Sequence, residues 1–148
     1  MTNGERYSHT FMMHRGALLD LLEMIPADKG DFSAWDGGMS FHKLCDHLSG
    51  SINRMPAMIA GEVSAKVEPS VDFLAAKARL KASSENARAL LAGLSDEQTS
   101  GIVEVFGGRK MPVSGLIEFL ISHETHHKGQ VWMMARMIGV QPPMMVKM

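Results

Sequence analysis

The sequence predicts an all-α fold: a four-helix bundle with a short hairpin or loop before its last helix. Three observations lead there. Four long segments repeat apolar residues at helical spacing, each is bounded by capping or breaking residues, and the 148-residue length suits one core. Residues 1–148 are therefore read as a single domain. Hydrophobic residues make up 45% and charged residues 21%, a globular balance rather than a disordered or membrane-embedded one.

The first helix is expected over residues 7–25, where Phe11, Leu18, Leu21, Leu22 and Ile25 share a face and Pro26 ends the pattern. The second is expected over residues 41–60, after Ser40 as N-cap. Its stripe is Phe41, Leu44, Cys45, Leu48, Ile52, Met55 and Ile59, and Pro56 should kink or shorten it because proline cannot donate the i−4 bond. The third should span residues 71–91, capped by Ser70 and stopped by Gly93. Phe73, Leu74, Leu80, Ala87, Leu90 and Leu91 supply its core side, and Lys77, Arg79, Lys81, Glu85 and Arg88 its wet side. Residues 95–99 read as a loop. Residues 102–106 and 109–111 flank Gly107-Gly108, which tolerates the positive φ of a hairpin turn. The fourth helix is expected over residues 113–138, ended by Gly139 and Pro142-Pro143.

Composition excludes several functions. Lys plus Arg number 15 against 16 for Asp plus Glu, and no basic run marks a nucleic-acid partner. One cysteine permits no intramolecular disulfide, which suits a reducing compartment. The polar N-terminus lacks a signal-peptide stretch, and no apolar run approaches the roughly 18 residues of a membrane span. The expectation is a cytoplasmic protein without nucleic-acid or membrane partners.

Chemistry concentrates in the seven histidines. In the fourth helix, Leu116, Phe119, Leu120, Val131, Met134 and Ile138 form the apolar stripe, and His123 and His127 fall in its middle, one turn apart. Gln130 lies near the same line, whereas His126 sits roughly 90° and Glu124 about 70° away, at the margin. Two inward imidazoles must both find partners for two nitrogens, and a divalent ion resolves this by taking one nitrogen from each. His123-Glu124-Thr125-His126-His127 also spells H-E-x-x-H. The protease reading fails for want of a third ligand: Met133 stands where the extended motif needs His, and no Asp or Glu follows Glu124. The third ligand must lie upstream, among His9, His14, His42, Asp46 and His47. His42 and His47 flank the second-helix stripe on opposite sides, so periodicity does not choose between them.

Two stretches resemble the DinB-like family of bacterial metal-binding four-helix bundles. Met39-Ser40-Phe41-His42-Lys43-Leu44-Cys45-Asp46-His47-Leu48 is similar to its second helix. His123-Glu124-Thr125-His126-His127-Lys128-Gly129-Gln130 is similar to its H-x-x-x-H-[RK]-G-Q signature. The resemblance implies a metal triad of His47, His123 and His127, and so selects His47 over His42. It also implies thiol chemistry: characterised members include S-transferases using bacillithiol, mycothiol or glutathione, and a mycothiol-dependent maleylpyruvate isomerase.

Three neutral imidazoles leave a divalent ion its full charge and open coordination positions, as in catalytic sites. Bound water would have its pKa drawn toward about 7, and a bound thiol would lose its proton outright. The expected metal is Zn or Ni, with Fe or Mn as alternatives, since imidazole does not discriminate strongly. Glu124 and Gln130 are the candidate catalytic residues, the first for proton transfer beside His126, the second for orienting a metal-bound water. Cys45 reads as an inert core thiol. Met39, Met55, Met58 and Met134 could line an adaptable cavity. The leading expectation is transfer of a small electrophile to a low-molecular-weight thiol, because no carboxylate lies on the inward stripe to serve as a base for water. Metal-dependent hydrolysis and non-catalytic binding are the alternatives. The apolar run 131–138, with Trp132 and Met133 pointing off the stripe, predicts a homodimer.

Overall fold

The computed structural model describes residues 1–148. Its helices are α1 (Asn3–Met24), α2 (Phe41–Asn53), α3 (Met55–Ala60), α4 (Phe73–Ala92), α5 (Asp96–Ser100) and α6 (Val113–Met137). An antiparallel hairpin of β1 (Ile102–Val105) and β2 (Arg109–Pro112) leads directly into α6. The long helices α1, α2, α4 and α6 form the bundle. Both α1 and α2 pack against α4 and α6, so α1 lies diagonally across from α2 and α4 from α6, and each diagonal pair is joined by a crossover connection. No helix is long and apolar enough to cross a membrane.

The element boundaries follow local chemistry. α1 begins at Asn3 rather than residue 7, because Thr2 and Glu5 form a reciprocal capping box: the Thr2 hydroxyl accepts the Glu5 N–H at 3.1 Å and the Glu5 carboxylate accepts the Thr2 N–H at 2.9 Å. The expected second helix is broken at Arg54 into α2 and α3, with Pro56 in the first turn of α3, where its missing N–H costs nothing. α4 starts at Phe73 because Asp72, not Ser70, accepts a first-turn N–H, that of Ala75 at 2.8 Å. The expected loop at residues 95–99 contains α5, again set by a capping box, Ser95 with Gln98. The hairpin forms as expected, with Phe106, Gly107 and Gly108 all at positive φ.

Two apolar clusters fill the bundle. One joins Leu18, Leu21 and Leu22 of α1 to Phe41, Leu44 and Leu48 of α2, Phe73 and Leu80 of α4, and Val131 and Met134 of α6. The other joins Phe11, Ile52, Met55, Leu91, Val103, Leu116, Ile117 and Leu120. Between them along every long helix lies a buried polar layer: Arg15, Ser49, Ser83, Ser84 and Glu124. Leu74 and Phe119, expected on the core side, are instead exposed. Phe119 stacks with Phe106 of the hairpin turn at a centroid separation of 5.0 Å.

Candidate metal centre

The three histidines converge at the level of the polar layer. α6 supplies His123 and His127 from successive turns, and α2 supplies His47. One ring nitrogen from each lies within 4.8 Å of the others, and His47 Nε2 stands 3.0 Å from His123 Nε2. Nitrogens bound tetrahedrally to zinc at 2.0–2.1 Å would be about 3.3 Å apart, so small ring rotations suffice to place the three around one ion. His127 is buried, His123 half-buried and His47 exposed, so the cluster opens to solvent on its α2 side. Burial lowers the pKa of His47 and of His123, and the neighbouring histidines lower both further. Those two rings are therefore biased toward the neutral form that a metal requires.

Gln130 has a definite place. Its Oε1 lies 2.7 Å from His127 Nδ1, and an amide oxygen only accepts, so His127 carries its proton on Nδ1 and turns the Nε2 lone pair inward. The contact that the structure shows for it is with the His127 ring. Fixing the tautomer in this way is the usual task of a group behind a metal-bound histidine.

Glu124 is not at a solvated margin. It is 2% exposed, and its two oxygens accept from Arg15 Nε and from an Arg15 terminal nitrogen at 2.9 Å. Arg15 is fully buried and also donates to the Ser83 hydroxyl at 3.1 Å, the Ser84 hydroxyl at 2.9 Å and the Leu48 carbonyl at 3.3 Å. One guanidinium thus ties together all four long helices. Sequence reasoning missed Arg15, although it sits on the α1 apolar stripe between Phe11 and Leu18. Glu124 is similarly one turn beyond buried Leu120 and two turns before Val131. An arginine on the α1 apolar stripe was the available signal.

The other upstream candidates are engaged elsewhere. The His42 ring lies 3.0 Å from the Ser70 carbonyl. Asp46 accepts the Ser70 N–H at 2.8 Å and the Ser70 hydroxyl, and pairs with Arg79 at 3.5 Å, pinning the segment before α4 onto α2. His14 Nδ1 lies 3.0 Å from Lys128 Nζ, His9 is exposed, and His126 is exposed with its ring against His127. The buried Cys45 thiol is pushed up to about 12, chiefly by desolvation, which makes it inert at neutral pH. Trp132, expected at a partner surface, is 8% exposed and donates its indole N–H to the Pro143 carbonyl at 3.3 Å. The tail covers it because the Lys147 N–H bonds the Met13 carbonyl at 2.8 Å and holds the chain end across α1. The expected dimer surface loses its largest residue.

Two hollows flank the cluster. Met39, Leu44, Met133, Met134, Trp35 and Gln130 border an apolar one of about 260 Å³. Met55 and Met58 belong instead to the second apolar cluster. A polar cleft of about 730 Å³ lies along α2, with His47 in its wall.

A family model described as the DinB family matches residues 1–147. The chain is 27% identical over 138 residues to the uncharacterized protein YjoA of Bacillus subtilis (strain 168), covering 87% of this chain and 86% of that protein. The crystal structure of the DinB-like protein YjoA from Bacillus subtilis superposes with a TM-score of 0.83 at 22% identity, covering 97% of this chain and 99% of that one. A DinB-like protein from Bacillus cereus ATCC 10987 gives 0.74 at 18% identity, covering 93% of each chain. YfiT from Bacillus subtilis gives 0.72 at 16% identity, covering 93% of this chain and 89% of its own; it is described as a probable metal-dependent hydrolase with an unusual four-helix bundle topology.

Proposed function

The chain belongs to the DinB family, and from that premise we propose that it is a divalent-metal-dependent enzyme that transfers a small electrophile to a low-molecular-weight thiol. His47, His123 and His127 are the metal ligands in this reading. The observation that carries it is the convergence of three imidazole nitrogens within 4.8 Å on an open side of the bundle. When bound, a divalent ion there supplies the positive charge that lets a thiol shed its proton at neutral pH. The chain's own residues do the rest. Gln130 sets the His127 tautomer, and the Arg15–Glu124 pair fixes the rotation of α6 from the residue next to His123. The exposed His47 edge leaves an approach path for both reactants.

Thiol chemistry is favoured over hydrolysis by the state of Glu124. A hydrolase wants a free base near its water, and both Glu124 oxygens are taken by Arg15. In the transfer, the thiol proton is released, the sulfur forms a bond to the electrophilic carbon, and the leaving group departs with its electron pair. Hydrolysis is the second reading, favoured by the description of YfiT as a probable metal-dependent hydrolase.

One measurement tests the metal ligands and a second separates the two chemistries. Purified protein is expected to hold one divalent ion per chain, lost in His47→Ala, His123→Ala and His127→Ala but kept in His42→Ala. Cobalt-substituted protein is expected to gain a sulfur-to-metal charge-transfer band when a thiol is added, and product formation should require that thiol. Full metal occupancy in His47→Ala removes the ligand assignment. Ester hydrolysis without thiol gives the case to the hydrolase.

A further inference from the structure

The apolar hollow on the other flank of the cluster is lined by Trp35, Met39, Leu44, Gln130, Met133 and Met134, and no charged residue stands anywhere in its wall. Leu44 lies three residues before His47 on α2, and Gln130 three residues after His127 on α6. The hollow therefore begins about 4.5 Å along each helix from a histidine of the cluster. On its inner side Leu44 and Met134 are buried. On its outer side Trp35 and Met133 are exposed, which forgoes the stabilisation that burying them would bring. Yet the Trp35 loop is pinned. The Gly38 N–H donates to the Trp35 carbonyl at 3.0 Å, the Ser33 hydroxyl donates to the same oxygen at 3.1 Å, and Ser33 pairs with Ser40 across the base of the loop. The indole rests on Gly38, where a Cβ would stand 2.8 Å from a ring carbon. A fixed loop thus holds an aromatic ring in solvent beside an apolar recess, and exposed apolar surface of this kind marks binding sites. Apart from the indole N–H, Gln130 is the one polar side chain in the wall. Its Oε1 is taken by His127 Nδ1–H, which leaves its amide N–H groups to donate.

We propose that this hollow binds the non-reacting body of the substrate: a small, uncharged aryl or alkyl group with one hydrogen-bond acceptor, held between Trp35 and the α6 methionines with the acceptor on the Gln130 amide. The inference rests on the metal-centre reading above and names a substrate class for it. A volume of about 260 Å³ exceeds the roughly 150 Å³ that holds a benzene ring in an apolar cavity, and so leaves room for a short substituent. An ion is disfavoured, because no charge in the wall offsets the loss of its hydration. Methionine side chains adapt to the outline of a ligand, so charge and size define the class rather than one exact shape.

The test follows binding of acetophenone, an uncharged aryl ketone, to the full-length protein through its methionine methyl resonances in NMR spectra, before and after treatment with a chelator. Met39, Met133 and Met134 should shift during the titration, and Met55 and Met58 of the second apolar cluster should not. Replacement of the exposed indole in Trp35→Ala should weaken binding by about three- to tenfold. Gln130→Leu should weaken acetophenone by about three- to tenfold and leave the matching hydrocarbon, ethylbenzene, unweakened. Benzoate should bind at least about tenfold more weakly than the ketone. In cobalt-loaded protein, with occupancy checked by elemental analysis, the protons of bound acetophenone should relax faster than in zinc-loaded protein. Shifts at methionines other than those three, equal weakening of ketone and hydrocarbon in Gln130→Leu, or benzoate bound as tightly as the ketone overturns the proposal. Unchanged proton relaxation at full cobalt occupancy overturns the link between hollow and cluster. An affinity for acetophenone that falls as protein concentration rises puts a second copy of the chain on the hollow and overturns the small-molecule assignment. Acetophenone bound at the three methionines of a protein that holds no metal supports the hollow and removes the metal-centre reading, so the two failures are told apart.

Discussion

Arg15 and Glu124 are the residues whose replacement should be felt most. Both are buried, paired through two hydrogen bonds, and placed between two apolar clusters. Removing one partner leaves a charge in a medium that solvates it poorly. Glu124→Gln or Arg15→Met is expected to cost about 3–5 kcal/mol in urea denaturation, and the double replacement Arg15→Met with Glu124→Leu should recover much of that loss. Equal losses in the single and double variants would contradict the pairing argument. A Glu124→Gln variant therefore reports on folding before it reports on catalysis. Gln130 is different, because it is half-buried and touches the His127 ring. Gln130→Leu removes the acceptor for His127 Nδ1–H and should lower metal affinity by roughly 10- to 100-fold with little change in melting temperature. A chromophoric chelator in competition reads the affinity directly.

At the scale of elements, close approach of helices decides what local preference alone would misjudge. Gly4 lies in the first turn of α1, where alanine has the better helix propensity by about 1 kcal/mol. A Cβ there would meet the Leu91 carbonyl at 2.3 Å and the Leu94 carbonyl at 2.5 Å, both backbone atoms that cannot turn aside. Gly4→Ala is thus expected to lower the thermal midpoint, the overpacking cost of about 1–3 kcal/mol exceeding the propensity gain. A raised midpoint would mean that α1 slides freely over the end of α4. The break between α2 and α3 has its cause in the chain itself: Pro56 cannot donate to Ile52, so the ladder stops at Arg54. Arg54, at that break, lines the polar cleft that has His47 in its wall.

For the whole molecule, the bundle's diagonal arrangement brings α2 and α6 into contact although α4 lies between them in sequence. Without that neighbour relation the histidines of α6 would have no third partner. Packing also sets the pH response. Desolvation lowers the pKa of His14, His47 and His123 below the ordinary 6.5. An unfolded chain takes up protons at these positions before the folded one does. Stability is therefore full above pH 6.5 and is lost as the pH falls through the lowered folded-state values. Urea midpoints of metal-free protein measured at about pH 7.5 and about pH 5.5 should show the decline, and bound metal should be released over the same interval, since the ligands must be neutral. A midpoint that rises on acidification would reverse the assigned sign.

The chain's periodicity and punctuation determined the helices, because a stripe such as Leu116, Leu120, Val131 and Met134 needs only a 3.6-residue repeat to be recognised. The same repeat set His123 and His127 on one face, and Gly107-Gly108 marked the hairpin. The α1 capping box at Thr2 and Glu5 was equally legible, and missed. Family resemblance chose His47 over His42; periodicity could not, since both flank the α2 stripe and only the diagonal packing decides which one meets α6. Tertiary structure also decided the fate of Glu124, placed by angle at a margin but drawn inside by Arg15 from a helix more than a hundred residues away. Trp132 is covered by a tail whose path no local signal specifies, held by the Lys147–Met13 bond. The division has one physical reason. Helix formation depends on neighbours within a few positions along the chain, while burial of a charge or closure of a site depends on which distant segment supplies the partner.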